Sequence, residues 1–145
     1  MPHDPHEDLH ARDHSGTLPE TIQAFVRNVG FKSWLRETLR KVESGIEAVV
    51  VPPGGDGVPP GGNFSRLVVA FFCKRGHHRS VAGATIFAHV LQATSDSWYP
   101  MTTHLCEQLW DVSCGTDCPA CYNRSDVRGA ALAAARDEWR ELMST

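Results

Sequence analysis

Leu67-Val68-Val69-Ala70-Phe71-Phe72-Cys73-Lys74-Arg75-Gly76-His77-His78-Arg79-Ser80 is the stretch on which the fold assignment turns. Six apolar residues without a polar interruption, Leu67 to Phe72, read as a strand buried on both faces of a parallel sheet. A glycine-containing turn follows, and Ser80 to Ala93, rich in Ala and β-branched residues, reads as a helix. After a short polar link, Trp98 to Leu105 reads as a second strand. Strand, turn, helix and strand make a βαβ unit, whose crossover is expected to be right-handed. The expected architecture is therefore a single α/β domain with a mostly parallel sheet flanked by helices.

Upstream, Thr17-Leu18-Pro19-Glu20 carries the signals of a helix start: a Thr cap, Pro in the first turn and Glu three residues after the Thr. Ile22, Phe25, Val26 and Val29 follow at helical spacing. Gly30 interrupts the pattern, and Phe31, Trp34, Leu35, Thr38, Leu39 and Val42 resume it. One amphipathic helix, or two broken at Gly30, is expected to pack on the sheet, with Lys32, Arg36, Arg40 and Lys41 on the outer side. Glu47 to Val51 is a short strand candidate. The segment 52–62, with four Pro and five Gly, nucleates neither helix nor ladder and reads as a mobile surface loop. At the other end, Ser125 is placed to cap a last helix whose buried stripe uses Val127, Leu132, Ala135, Trp139 and Leu142.

With 145 residues the chain has room for one compact domain and not for two. Four Trp and six Phe are enough to fill a core, which argues against disorder. The net charge of -3 excludes a global basic field, so an RNA contact would need a local patch. The longest apolar run is far too short to span a bilayer, and the opening Met1-Pro2-His3-Asp4 is polar and acidic. A soluble, cytoplasmic protein is the expectation.

The chemistry converges on residues 73–80. Where a strand enters a helix, backbone N–H groups converge and the helix dipole adds partial positive charge. Gly76 permits a backbone that a side chain would forbid, and Arg79 can grip two anionic oxygens at once. A phosphate-binding loop built from Cys73, Lys74, Arg75, Gly76, His77, His78, Arg79 and Ser80 is the functional reading; an ordinary basic turn is the bland one. His78 can serve as a donor or a general acid/base near neutral pH, while His77 points to solvent in this reading. His89, amid the apolar part of the following helix, reads as a packing residue.

Two resemblances overlap on this loop. Cys73, Gly76, Arg79 and Ser80 match the Cys-x5-Arg pattern of cysteine-dependent phosphatases, although Phe72 stands where those enzymes usually carry His. That resemblance implies Cys73 as a thiolate nucleophile and Arg79 as the phosphate ligand. Cys-x-x-Gly-x-His-Arg-Ser-Val, Cys73 to Val81, also resembles the hallmark loop of the RapZ (RNase adapter protein) C-terminal domain family. Phe64 to Ala70 is similar to the strand leading into that loop, and Phe31 to Val42 to the helix before it. Ser15-Gly16 and Pro2-His3 are similar to a Pro-His…Thr-Gly stretch further upstream. The resemblance reaches from about residue 2 to 105 and is strongest over 64–91. It implies an α/β module that binds a sugar phosphate or nucleotide, with RNA as a second partner and oligomer formation open. By position, Gly76, His78, Arg79 and Ser80 would cradle the phosphate beside Cys73, with Ser65 and His3 near the rest of the ligand. The family's N-terminal kinase-like domain has no counterpart here, since no Walker-type Gly-Lys-Ser/Thr motif occurs.

The five Cys are unevenly placed: Cys73 stands alone, while Cys106, Cys114, Cys118 and Cys121 crowd into sixteen residues. An odd count argues against a disulfide framework. Cys118-Pro119-Ala120-Cys121 is a good half-site, because a Cys-x2-Cys turn presents two thiolates to one edge of a Zn²⁺ tetrahedron. Cys106 and Cys114 complete a four-thiolate structural zinc site, with His104 as the alternative fourth ligand. Free buried thiols or a redox-active Cys118/Cys121 pair are the competing readings. The expected organisation is a polar lead-in over 1–16, the α/β module over 17–105, a Cys-rich knuckle over 106–124 and a helix over 125–145.

Overall fold

The computed structural model describes residues 14–49, 67–74, 78–94, 99–105, 114, 118–122 and 125–144. Most of these residues are helical and none lies in a strand, so the described fold is helical and the expected α/β parallel sheet is overturned. Among the described residues five helices follow one another: α1 (Pro19–Arg27), α2 (Phe31–Val49), α3 (Arg79–Thr94), the single turn α4 (Pro119–Tyr122) and α5 (Ser125–Met143).

The break at Gly30 resolves into two helices. Asn28 ends α1 in extended conformation, its N–H donating to the Phe25 carbonyl. Its side-chain Oδ1 then accepts from the Gly30 N–H at 2.9 Å, and its carbonyl accepts from Phe31 N–H at 2.9 Å. A short polar side chain thus replaces the missing helical bonds and starts α2 on a new axis. The Thr cap expected at the start of α1 is not made. Leu18 occupies the cap position without a side-chain bond, Pro19 opens the helix, and the Thr17 hydroxyl pairs with that of Ser15 at 2.6 Å.

α2 runs through Val49, so the strand candidate Glu47 to Val51 is corrected to helix over its described part. The helix after the turn, expected over Ser80 to Ala93, spans Arg79–Thr94. In α5 the stripe is buried at Ala131, Ala135 and Trp139, and half-buried at Leu132 and Leu142. Two small residues let the neighbouring backbone approach closely, and α5 makes its most extensive packing with α1, then with α3.

One core joins the four long helices: Ile22 and Phe25 of α1, Phe31, Leu35, Leu39 and Val42 of α2, Ala82, Ile86, Phe87 and Val90 of α3, and Ala131, Ala135 and Trp139 of α5. Aromatic rings thread it as a chain. Phe25 meets Trp34 edge-on at 5.0 Å, Trp34 meets Phe71 at 5.9 Å, Phe71 meets Phe87 at 5.6 Å and Phe87 meets Trp139 at 5.9 Å. Each fully buried large side chain contributes about 2 kcal/mol through burial. The pairs Lys32–Glu138 (2.8 Å) and Arg40–Glu37 (3.0 Å) are made by exposed cations, where solvent screening leaves an ion pair little net value. Apolar packing, not charge, holds the helices.

The run Leu67 to Phe72 forms no regular element and makes no ladder with any described residue. Only Leu67 and Phe71 pack on the core, while Val68 and Phe72 are 79% and 82% exposed. A strand buried on both faces needs partners on both sides; here the helices already close the core, and two anchors hold the segment across it. Leu67 is seated over Gly45 of α2, where a Cβ would come within 3.0 Å of its Cδ1. The second expected strand fails in the same way. Residues 99–105 are irregular, with Tyr99, Met101 and Leu105 exposed, so neither the βαβ unit nor its crossover exists among the described residues. The expected loop at 52–62 lies outside the described residues.

Candidate metal centre and the neighbouring Cys73 turn

Cys118 stands at the head of α4, and the N–H of Cys121 donates to its carbonyl at 3.1 Å. That single turn, opened by Pro119, places the two sulfurs on one side of the chain. Cys114 approaches from the preceding segment, its Sγ 3.7 Å from that of Cys121. The fourth group arrives from the opposite end of the chain. His14 Nδ1 lies 3.4 Å from Cys118 Sγ and 3.6 Å from Cys121 Sγ. All four ligand atoms fall within 4.8 Å of one another.

These spacings are those of a coordination shell. Metal–sulfur and metal–nitrogen bonds of ordinary zinc length, set at tetrahedral angles, put two sulfurs about 3.8 Å apart and a sulfur and nitrogen about 3.6 Å apart. The three distances above fall within a few tenths of an ångström of that geometry. His14, Cys114, Cys118 and Cys121 can hold a metal ion, and no disulfide consumes the thiols.

The electrostatics differ between the two sulfurs of the turn. Burial pushes the Cys118 thiol up, but the backbone N–H groups of Cys121 and Ala120 and the thiols of Cys121 and Cys114 outweigh it, holding the group below its ordinary value. Burial pushes Cys121 up to about 12, opposed by the Thr17 hydroxyl and reinforced by the neighbouring Cys114 and Cys118. A cation is what allows three adjacent sulfurs to be anionic together.

Of the expected ligands, Cys114, Cys118 and Cys121 come together. Cys106 lies outside the described residues, and His104 is not among the four. His14, read from sequence as part of the polar lead-in, takes the remaining position. Its signal was local: His14-Ser15-Gly16-Thr17 ends the acidic, Pro-containing stretch immediately before the helix start. Ser15 and Thr17 are both buried, and the Ser15 hydroxyl lies 3.9 Å from Cys121 Sγ. Leu18, Cys118 and Cys121, with Cys114 and Ala120 against them, form a small cluster separate from the main core.

The phosphate-loop candidates are partly described. Cys73 Sγ lies 3.4 Å from Ser80 Oγ, closing the turn between the extended segment and α3. His78 and Ser80 are buried, Arg79 is half-buried and Lys74 is exposed. Arg75, Gly76 and His77 lie outside the described residues, as do Ser65 and His3. Arg79 opens α3 and also lines an open groove of about 960 Å³ between α2 and residues 67–72, with Trp34, Lys41, Phe71 and Phe72. A helix leaves its first N–H groups without an intrahelical acceptor, and the sixteen residues of α3 direct a dipole at this turn.

The segment that carries His14 meets the head of α3 through Gly16. A Cβ built there would collide with the His78 carbonyl oxygen and stand 2.7 Å from the Ala82 nitrogen. Those two atoms form a hydrogen bond of α3's first turn, at 2.9 Å.

No described helix is long and apolar enough to cross a membrane. Comparisons of the chain with protein-family models, with curated proteins and with solved structures return no match.

Proposed function

We propose that this protein is a zinc-stabilised module that binds a phosphorylated small molecule, a sugar phosphate or nucleotide, at the Cys73–Ser80 turn. The observation that carries the reading is the 3.4 Å approach of Cys73 Sγ and Ser80 Oγ at the head of α3. It draws Cys73 to the first turn of α3, beside the N-terminus where the helix dipole favours an anion. Arg79 supplies the charged donor, and the groove it lines offers room for the organic part of the ligand. Zinc is the cation that three thiolates and one imidazole select, since four protein ligands close a tetrahedral site and leave no position for a substrate. The metal's role is then to stabilise the chain, not to catalyse.

RNA is the weaker partner for this surface. Lys32 pairs with Glu138 and Glu141, and Arg40 and Lys41 both pair with Glu37, so three of the four cations on the outer side of α2 are locally neutralised.

The test is a thermal-shift titration with inorganic phosphate, sugar phosphates and nucleotides. Stabilisation grows as the logarithm of one plus the ratio of free ligand to its Kd. Arg79→Ala is expected to abolish it, and a wild-type protein unmoved by every phosphorylated compound would end the reading.

A second reading has one observation in its favour. A hydroxyl 3.4 Å from Cys73 Sγ can donate to a thiolate and stabilise it for attack on phosphorus. A phosphatase would hydrolyse p-nitrophenyl phosphate, and Cys73→Ser would abolish turnover while leaving phosphate binding intact. Binding without turnover in the wild type selects the first reading.

A further inference from the structure

Three sulfurs and one imidazole nitrogen crowd together so that all four atoms lie within 4.8 Å of one another. The closeness that suits a cation also brings two of the sulfurs near each other's bonding range. Cys114 Sγ stands 3.7 Å from Cys121 Sγ. A disulfide needs about 2.0 Å, so these atoms must close by about 1.7 Å, a distance that side-chain rotation covers. Cys114, Cys118 and Cys121 are all free thiols.

The three sulfurs are not equivalent. Cys118 stands at the head of α4, where its sulfur accepts from the backbone N–H groups of Cys121 and Ala120 and lies 3.4 Å from His14 Nδ1. A bond from Cys118 to Cys121 would have to form inside that one turn and draw the sulfur away from its donors. Cys114 comes from the segment before α4, so it can swing toward Cys121 while the turn keeps its shape. Exposure points the same way. Cys118 and Cys121 are buried and Cys114 is half-buried, so Cys114 is the sulfur of the cluster that a small oxidant meets first.

We propose that Cys114 and Cys121 are a peroxide-responsive pair, whose disulfide expels the metal ion held by His14, Cys114, Cys118 and Cys121. The oxidant is a hydroperoxide, in the simplest case hydrogen peroxide. The Cys114 thiolate attacks one peroxide oxygen, the O–O bond breaks and hydroxide leaves, giving a sulfenic acid. The Cys121 thiolate then attacks the Cys114 sulfur, forming the S–S bond and expelling a second hydroxide. Two electrons pass from the two sulfurs to the peroxide, two protons from solvent turn the hydroxides into water, and the metal ion keeps its charge. Only a thiolate is a good ligand, so the oxidised site retains His14 and Cys118 alone and loses the ion. A dithiol reductant exchanges with the disulfide and restores all four ligands. This switch rests on the reading of the four residues as a metal centre and is independent of the Cys73 turn.

The test uses the full chain, reduced and loaded with one equivalent of Zn²⁺, treated with hydrogen peroxide beside a chromophoric zinc indicator. The expected result is release of the zinc in step with the loss of two hydrogens by mass spectrometry, one ion for each disulfide. Digestion in acid, with free thiols blocked, is expected to map the bond to Cys114–Cys121. Dithiothreitol is expected to return the zinc to the protein. Cys114→Ser is expected to slow peroxide-driven release about tenfold, because the attacking sulfur is gone. Should that variant fail to fold or to load, the wild-type map decides alone.

Zinc retained under peroxide, or released without a disulfide, overturns the switch while the metal centre stands. So does a bond mapped to Cys118–Cys121, or a loaded Cys114→Ser protein that releases zinc at the wild-type rate. A reduced protein that takes up no zinc fails earlier: the metal centre falls, and the switch with it.

Discussion

Gly16 and His78 are in contact through the backbone alone: a Cβ on the first would collide with the carbonyl oxygen of the second. Sixty-two positions apart in the chain, they join the segment that carries His14 to the helix that carries Arg79 and Ser80.

Gly16→Ala is accordingly expected to destabilise the fold, because the atoms a methyl group would meet are backbone and cannot rotate away. Overpacking of this kind costs about 2 kcal/mol. The midpoint of urea unfolding checks it. An unchanged midpoint would mean that Gly16 can lift off α3 at no cost.

Metal analysis of protein purified without chelator should find one equivalent of zinc, and Co²⁺ substitution should give the visible absorption of a tetrahedral thiolate site. Cys118→Ser should lower both the stoichiometry and the melting temperature. Metal present at a hundredfold excess over its dissociation constant stabilises by about 3 kcal/mol. Because binding must displace thiol protons, including that of Cys121 with its pKa near 12, affinity should fall as pH is lowered. Metal uptake independent of pH would speak against thiolate coordination.

His89 gives a second pH dependence, unrelated to metal. Burial, and then the charges of Arg136 and Arg128, hold its pKa below the ordinary value of about 6.5. The unfolded chain therefore takes up the proton first as pH falls. Stability from this group is fully present above about 6.5 and is lost as pH drops from there through the folded-state pKa. In denaturant melts across this range, His89→Gln should flatten the fall. A slope identical to that of the wild type would show that His89 does not carry it.

Core and surface should respond very differently to truncation. Trp139 is buried against Phe87 and closes the aromatic chain, so Trp139→Ala should cost about 4 kcal/mol. Lys32→Ala removes the pairs of an exposed ammonium with Glu138 and Glu141 and should leave the unfolding midpoint almost unmoved. Comparable losses in chemical denaturation would show that the α2–α5 ion pairs matter more than their exposure allows.

Much of the helical content was legible from residues within four positions of each other. The spacing of Ile22, Phe25 and Val26, the interruption at Gly30 and the stripe at Ala135 and Trp139 appear in the structure as α1, α2 and α5. The Cys-x2-Cys turn was legible for the same reason: Cys118 and Cys121 are brought together by one helical turn, whatever surrounds them. The apolar run at 67–72 misled because β-branched and aromatic residues suit a pleated, half-buried surface without creating one. Whether a ladder forms depends on a neighbour, and the described residues supply none.

What the amino-acid order determined unaided is therefore the set of helices and the local presentation of thiols, since both depend on interactions within one or two turns. Tertiary structure decided that Leu67 and Phe71 alone would anchor their segment, and that His14 would meet Cys118 across 104 positions. The physical reason is that such contacts form only after a long loop has closed, and the free energy of closing it comes from the helical core, which a local pattern does not encode.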